Sequence, residues 1–313
     1  AVYAEPDVDP GNQGGYVVWV AIADVATYVT PGSAMDKEAR KRGNSVYMPD
    51  RVVPMLPERL SNDLCSLREH EDRPCMAVRM QIDAKGKKRG HKFVRGMMRS
   101  AAKLSYQQAQ GIFDAQAVAG SDNSSKGTSE REGLEDILGA LWQAYQLMAQ
   151  ARDARAPLII DKPERRIDMN EQGAITRIYI PPRLEAHRLI EEMMIAANVC
   201  AAETLETRQV PLLFRVHDTP PPERMHALAD FIKPLGARLD LGQPVVPALF
   251  NRVMFKARDS EHYPTISEAV LRTQSQAVYT PENIGHFGLN LGKYAHFTSP
   301  IRRYADLIVH RAL

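Results

Sequence analysis

At 313 residues, with 44% hydrophobic and 25% charged side chains, the chain is long enough to bury a large core and too apolar to be disordered. A net charge of +2 excludes recognition of nucleic acid by the field of the whole molecule, so any such partner needs local clusters of base. The cysteines, Cys65, Cys75 and Cys200, are odd in number and lack metal-ligand spacing, and no apolar run reaches the roughly 18 to 20 residues of a membrane span. A cytoplasmic chain with reduced, buried thiols and no membrane partner is expected.

Taken in order, Ala1-Val2-Tyr3 reads as a strand in progress, followed by a turn-rich stretch from Glu5 to Gly15 in which Asp7 and Asp9 serve as turn residues. The run YVVWVAIADV from Tyr16 predicts a buried strand that ends at Asp24. That carboxylate either caps the following turn or reaches a site, which makes it a weak metal candidate. A short helix over Ala34 to Arg42 leads to Tyr47 in a Pro-flanked loop, where the ring either packs or offers a stacking platform for a base.

Residues 76–100 predict a hairpin whose turn and second strand carry Lys85, Lys87, Lys88, Arg89, Lys92, Arg95 and Arg99. The run is either a solvated face or a surface that tracks a phosphate backbone. Ser105 and Gln108 form a capping box that puts Tyr106 in the first turn of a helix. Ala117 to Gly133 is polar enough to be a surface loop, and a helix follows to Arg155. Two strands, 165–169 and 174–180, precede a long helix from Arg183 to about Thr207 whose segment MMIAANVCAA is apolar on every side, as a helix running through the core would be. Glu191 and Glu192 enter that helix with Arg188 one turn back, where an ion pair is expected.

Beyond Pro211 a short strand and three helices, near 223–235, 245–258 and 266–279, are predicted, the third opened by a capping box of Thr265 and Glu268. His286 and His296 read as strand residues. The last stretch, YAHFTSPIRRYADLIVHRAL, predicts an amphipathic helix starting at Pro300 with Ser299 as its N-cap. Ile301, Tyr304, Ala305, Ile308 and Ala312 form its apolar stripe. Arg302 and Arg303 then lie in the first turn, where unpaired N–H groups and two guanidiniums make a phosphate site, unless the arginines pair with Asp306 or solvent.

The segment HFTSPIRRYADLIVHR resembles the signature of the RNase II/RNase R (RNB) exoribonuclease family, and residues 22–67 are similar to the same family's N-terminal catalytic region. The resemblance implies one α/β to α+β catalytic domain over 1–313, with mixed sheets and helices packed around a buried core helix. It implies a monomeric, magnesium-dependent hydrolase that takes single-stranded RNA from its 3′ end and releases nucleoside 5′-monophosphates. By the same resemblance Tyr47 is the base-clamping tyrosine, Tyr106 the active-site tyrosine, and Glu191 or Glu192 the RNA-contacting glutamate. Arg302 stabilises charge on the phosphate, and Ser299 and Arg303 contact RNA beside it. The family's second clamp aromatic falls near Ile167, which is not aromatic. The family's Asp-x-Asp-Asp metal run would precede Ala1, so the chain is expected to be a piece without its own metal site and without RNA hydrolysis. A non-catalytic RNA-binding member is the alternative.

Overall fold

The computed structural model describes residues 1–119, 129–160 and 165–313. They fall into two compact units, one of residues 1–151, 165–212 and 296–313, the other of residues 152–164 and 213–295.

In the first unit, β1 (Val2–Pro6) pairs antiparallel with β2 (Tyr16–Ala23), which is the buried run read from the sequence. Next come α1 (Ala34–Arg42) and a two-stranded ribbon of β3 (Val46–Tyr47) and β4 (Val52–Val53). The long hairpin of β5 (Asp72–Ile82) and β6 (Lys88–Arg99) completes a sheet of order β1-β2-β5-β6. Its turn holds Gly86 at φ +73°, so close to a helix backbone that a Cβ would stand 1.9 Å from the Leu147 carbonyl oxygen. The turn is therefore docked and not waving in solvent.

Helix α2 (Tyr106–Ala119) opens on the expected capping box: the Gln108 N–H donates to Ser105 Oγ at 3.2 Å and the Ser105 N–H to Gln108 Oε1 at 2.8 Å. Helix α3 runs from Ser129 to Arg155, so helix enters the polar stretch 117–133 from both ends; the part at 120–128 lies outside the described residues. After the ribbon of β7 (Arg166–Met169) and β8 (Ile175–Tyr179), α4 (Glu185–Thr207) buries Leu189, Met193, Ala197, Ala201 and Leu205, as expected of a core helix. The chain's last element, which we number α8 (Tyr304–Ala312), belongs to this unit. Leu307 from it joins Val25, Val29, Met55 and Leu56 in one apolar cluster.

The second unit holds β9 (Phe214–Val216), α5 (Pro222–Ile232), α6 (Pro247–Ala257), α7 (Tyr263–Thr273) and β10 (Val278–Thr280). Phe250, Ile232, Ile266 and Val270 centre its core. Helix α7 begins at Tyr263 with Pro264 in its first turn, so Thr265 and Glu268 lie inside the helix and form no capping box. His286 makes isolated bridges to His217 and Leu291 instead of belonging to a strand.

The α+β reading holds, with every ladder between named strands antiparallel and not mixed. No helix among the described residues is long and apolar enough to cross a membrane. All three cysteines are buried and free. Burial pushes the Cys65 thiol up to about 11 and the Cys200 thiol to about 12, which keeps them protonated.

Candidate functional site

The final helix starts four residues later than its sequence suggests. Arg303 is extended, at φ −138° and ψ 123°, because the backbone around it is taken by another segment. The Ser45 N–H donates to the Arg302 carbonyl at 3.0 Å, the Tyr304 N–H donates to the Gly43 carbonyl at 2.8 Å, and Arg303 bridges Asn44. Residues 299–302 form a turn, in which the Arg302 and Arg303 N–H groups both donate to the Ser299 carbonyl. Ser299 is thus the hinge of a turn and not an N-cap.

Asp306 organises this turn. It is 0% exposed and accepts the Ser299 N–H at 2.8 Å and a bidentate pair from Arg303 at 2.8 and 2.7 Å. Burial pushes its carboxyl up, while Arg303 and the Ser299 N–H pull it down. The buried face of α8 is consequently Asp306, Leu307, Val309 and His310, rotated from the stripe of Ile301, Tyr304, Ala305, Ile308 and Ala312. His310 is held by its Nε2 on the Phe297 carbonyl at 2.8 Å and stacks on the Phe297 ring. Hydrogen bonding, not hydropathy, turned the helix.

The two arginines therefore divide. Arg303 is committed to Asp306, whereas Arg302 is exposed and makes no side-chain hydrogen bond or ion pair among the described residues. Tyr47, 61% exposed, lies on the β3–β4 ribbon, whose entry at Asn44-Ser45 is stitched to the same turn. The free aromatic and the free cation are carried by one hydrogen-bonded frame.

On α4, Glu191 is exposed and pairs with Arg183, while Glu192 is 5% exposed. Arg188 pairs with Glu185 at 2.9 Å and not with Glu191 or Glu192 as expected. Tyr106 is 41% exposed and lines an apolar cavity of about 690 Å³ with Trp19, Ala77, Phe113 and Leu189.

Asp24 is 1% exposed; its Oδ2 takes Arg95 Nε at 2.8 Å and Thr27 Oγ1 at 3.0 Å, and its Oδ1 has no partner among the described residues. One buried carboxylate neutralised by an arginine does not suit magnesium, which wants open, octahedral oxygen ligands. Among the described residues no three His, Cys, Asp or Glu side chains gather as metal ligands. Asp7 is likewise occupied, accepting from Asn12 Nδ2 at 2.8 Å within its turn.

The basic hairpin is largely spoken for. Lys88 pairs with Glu203, Arg89 donates to the Gly11 carbonyl, Arg95 bonds Asp24 and the His310 carbonyl, and Arg99 makes a bidentate pair with Asp72. Those acids stand far away in sequence, which is why the run read as unopposed.

Against known proteins, the model of the RNB domain matches residues 1–313. Ribonuclease R of Vibrio cholerae serotype O1 is 42% identical over 314 residues, which cover 100% of this chain and 37% of that protein. Ribonuclease R of Escherichia coli (strain K12) is 40% identical over 313 residues, again 37% of its length. Mycoplasma genitalium RNase R, solved in complex with ribose-methylated single-stranded RNA, superposes with a TM-score of 0.88 at 28% identity, over 100% of this chain and 47% of the other. The chain thus spans 37% of the length of these curated ribonuclease R relatives and about half of the solved one.

Proposed function

The chain belongs to the RNB domain family over residues 1–313, and from that we propose that it is the catalytic portion of a 3′-to-5′ hydrolytic exoribonuclease acting on single-stranded RNA in the cytoplasm as a monomer. The products are nucleoside 5′-monophosphates. The observation that supports this best is Arg302, an exposed guanidinium whose backbone lies in a turn that Asp306 and Arg303 pin. That guanidinium, engaged by no acid among the described residues, is available to meet phosphate oxygens bidentately. In this reading Arg302 binds the terminal phosphodiester and stabilises charge there, and Arg303 with Ser299 positions it.

Tyr47 stacks on a base, which requires the open face that its exposure provides. Of the two glutamates, Glu191 is the one able to reach RNA, since Glu192 is buried. Tyr106 presents its hydroxyl at the mouth of α2. Magnesium, which the family would use, does not fit the described residues, among which no three His, Cys, Asp or Glu side chains gather. Its Asp-x-Asp-Asp ligands belong to the segment that in the family precedes the match to Ala1-Val2.

The test pairs binding with turnover. The 313-residue chain should bind a 3′-hydroxyl oligoribonucleotide by fluorescence anisotropy, with little release of mononucleotide on adding magnesium. A longer form that includes the Asp run should degrade the same strand from its 3′ end. Robust hydrolysis by the 313-residue chain would bring Asp7, Asp9 or Asp24 back as ligands. A longer form that binds RNA but never cleaves it favours a non-catalytic RNA-binding member.

A further inference from the structure

Two helix N-termini, those of α2 and α4, meet in the structure. Tyr106 is the first residue of α2 and His187 lies in the first turn of α4. Their rings stack, with centroids 3.9 Å apart and planes 22° from parallel. The imidazole is itself fixed: the Leu184 N–H donates to His187 Nδ1 at 3.2 Å. The two helices are tied at the same place by the Ala186 N–H, which donates to Gln110 Oε1 of α2 at 3.0 Å, and α3 also reaches the start of α4, where the Tyr145 hydroxyl donates to the Glu185 carboxylate at 2.8 Å.

One face of the phenol is thus covered, yet Tyr106 is exposed enough to present the rest of its ring, and its hydroxyl has no hydrogen-bond partner among the described residues. His187 and Glu191 stand four residues apart on α4 and so share a helix face. We infer that His187 is a positioning residue for Tyr106: its stacked ring holds the phenol so that the open face and hydroxyl meet the 3′-terminal nucleotide one helical turn from Glu191. The role rests on the exoribonuclease reading. It goes beyond that reading in giving His187 a function that no sequence signal singled out.

The bland possibility is that His187 only caps α4, and two substitutions separate the roles. His187→Asn keeps an acceptor for the Leu184 N–H and loses the ring; His187→Phe keeps a ring and loses the acceptor, with His187→Trp standing in if the Phe variant fails to fold. The readouts on the 313-residue chain are the upfield ring-current shift of Tyr106 by NMR and the affinity for an oligoribonucleotide carrying 2-aminopurine at its 3′ end. The ring-keeping variant should retain the shift and bind within about 2-fold of the unaltered chain. His187→Asn should lose the shift and bind about 3- to 10-fold more weakly while still unfolding in one cooperative transition. If His187→Asn keeps both shift and affinity, or the ring-keeping variant weakens as much as His187→Asn, the positioning role is overturned while the RNA reading stands. If the unaltered chain binds no RNA, the exoribonuclease reading fails and this inference fails with it.

Discussion

Removing the Arg303 side chain should cost stability, while removing that of its neighbour Arg302 should not. Arg303 donates twice to Asp306, at 2.8 and 2.7 Å, and its side chain is 26% exposed, whereas Asp306 is 0% exposed. Arg303→Ala leaves that buried carboxylate without a charged partner among the described residues, the Ser299 N–H remaining 2.8 Å away. Breaking one partner of a buried pair costs about 3 to 5 kcal/mol; with Arg303 a quarter exposed, the lower end, about 3 kcal/mol, applies. For a cooperative unit of this size that is a fall of about 6 to 12 °C in Tm. Arg302→Ala removes an exposed group with no ion pair among the described residues and should stay within about 0.5 kcal/mol. Urea melts of both variants at neutral pH measure the difference. The deficit of Arg303→Ala should shrink on acidification: a carboxyl whose folded pKa is raised gives stability below its unfolded pKa and loses it as pH rises through the folded one. An Arg303→Ala loss below about 1 kcal/mol, or an equal loss for Arg302→Ala, would refute the idea that Asp306 pins the turn.

Burial holds the His310 imidazole down to about 4, against about 6.5 in the unfolded chain, so the unfolded state takes up a proton first. Stability should be complete above pH 6.5 and fall by about 3 kcal/mol toward pH 4, and His310→Gln, which still donates to the Phe297 carbonyl, should flatten that slope in urea melts. His286, held to about 4 chiefly by burial, leaves part of the slope in place. Gly86→Ala should destabilise by about 2 kcal/mol or more, since its Cβ would meet the Leu147 carbonyl and its φ is +73°; an unchanged melt would show that the β5–β6 turn is not docked on α3. Tyr47→Ala should weaken RNA binding by about 1 to 3 kcal/mol in anisotropy titrations with no change in melting temperature, and a drop in Tm would mark the ring as packing.

Much of the fold was legible because its signals are local. The capping box at Ser105 and Gln108, the unbroken apolar run of β2 and the apolar segment MMIAANVCAA of α4 each report the environment of their own segment. The failures share another origin. Pro300 after Ser299 is a sound start for a helix, yet the Gly43–Ser45 segment takes the backbone hydrogen bonds of residues 302–304 and pulls Arg303 into an extended conformation. Thr265 and Glu268 have the spacing of a capping box, but α7 had already begun at Tyr263.

The sequence by itself determined the class of fold, the family and the residues worth watching, since periodicity, caps and long motifs are properties of neighbouring residues. Tertiary structure alone decided which of those residues are free to act. Arg302 and Arg303 are chemically identical and adjacent, and only the buried Asp306 separates a committed arginine from an available one. Glu191 and Glu192 are separated only by which side of α4 faces the core. His187 gains a role only because α2 brings Tyr106 to within 3.9 Å of it. A side chain's partners are fixed by contacts between residues tens or hundreds of positions apart, and no local pattern records them.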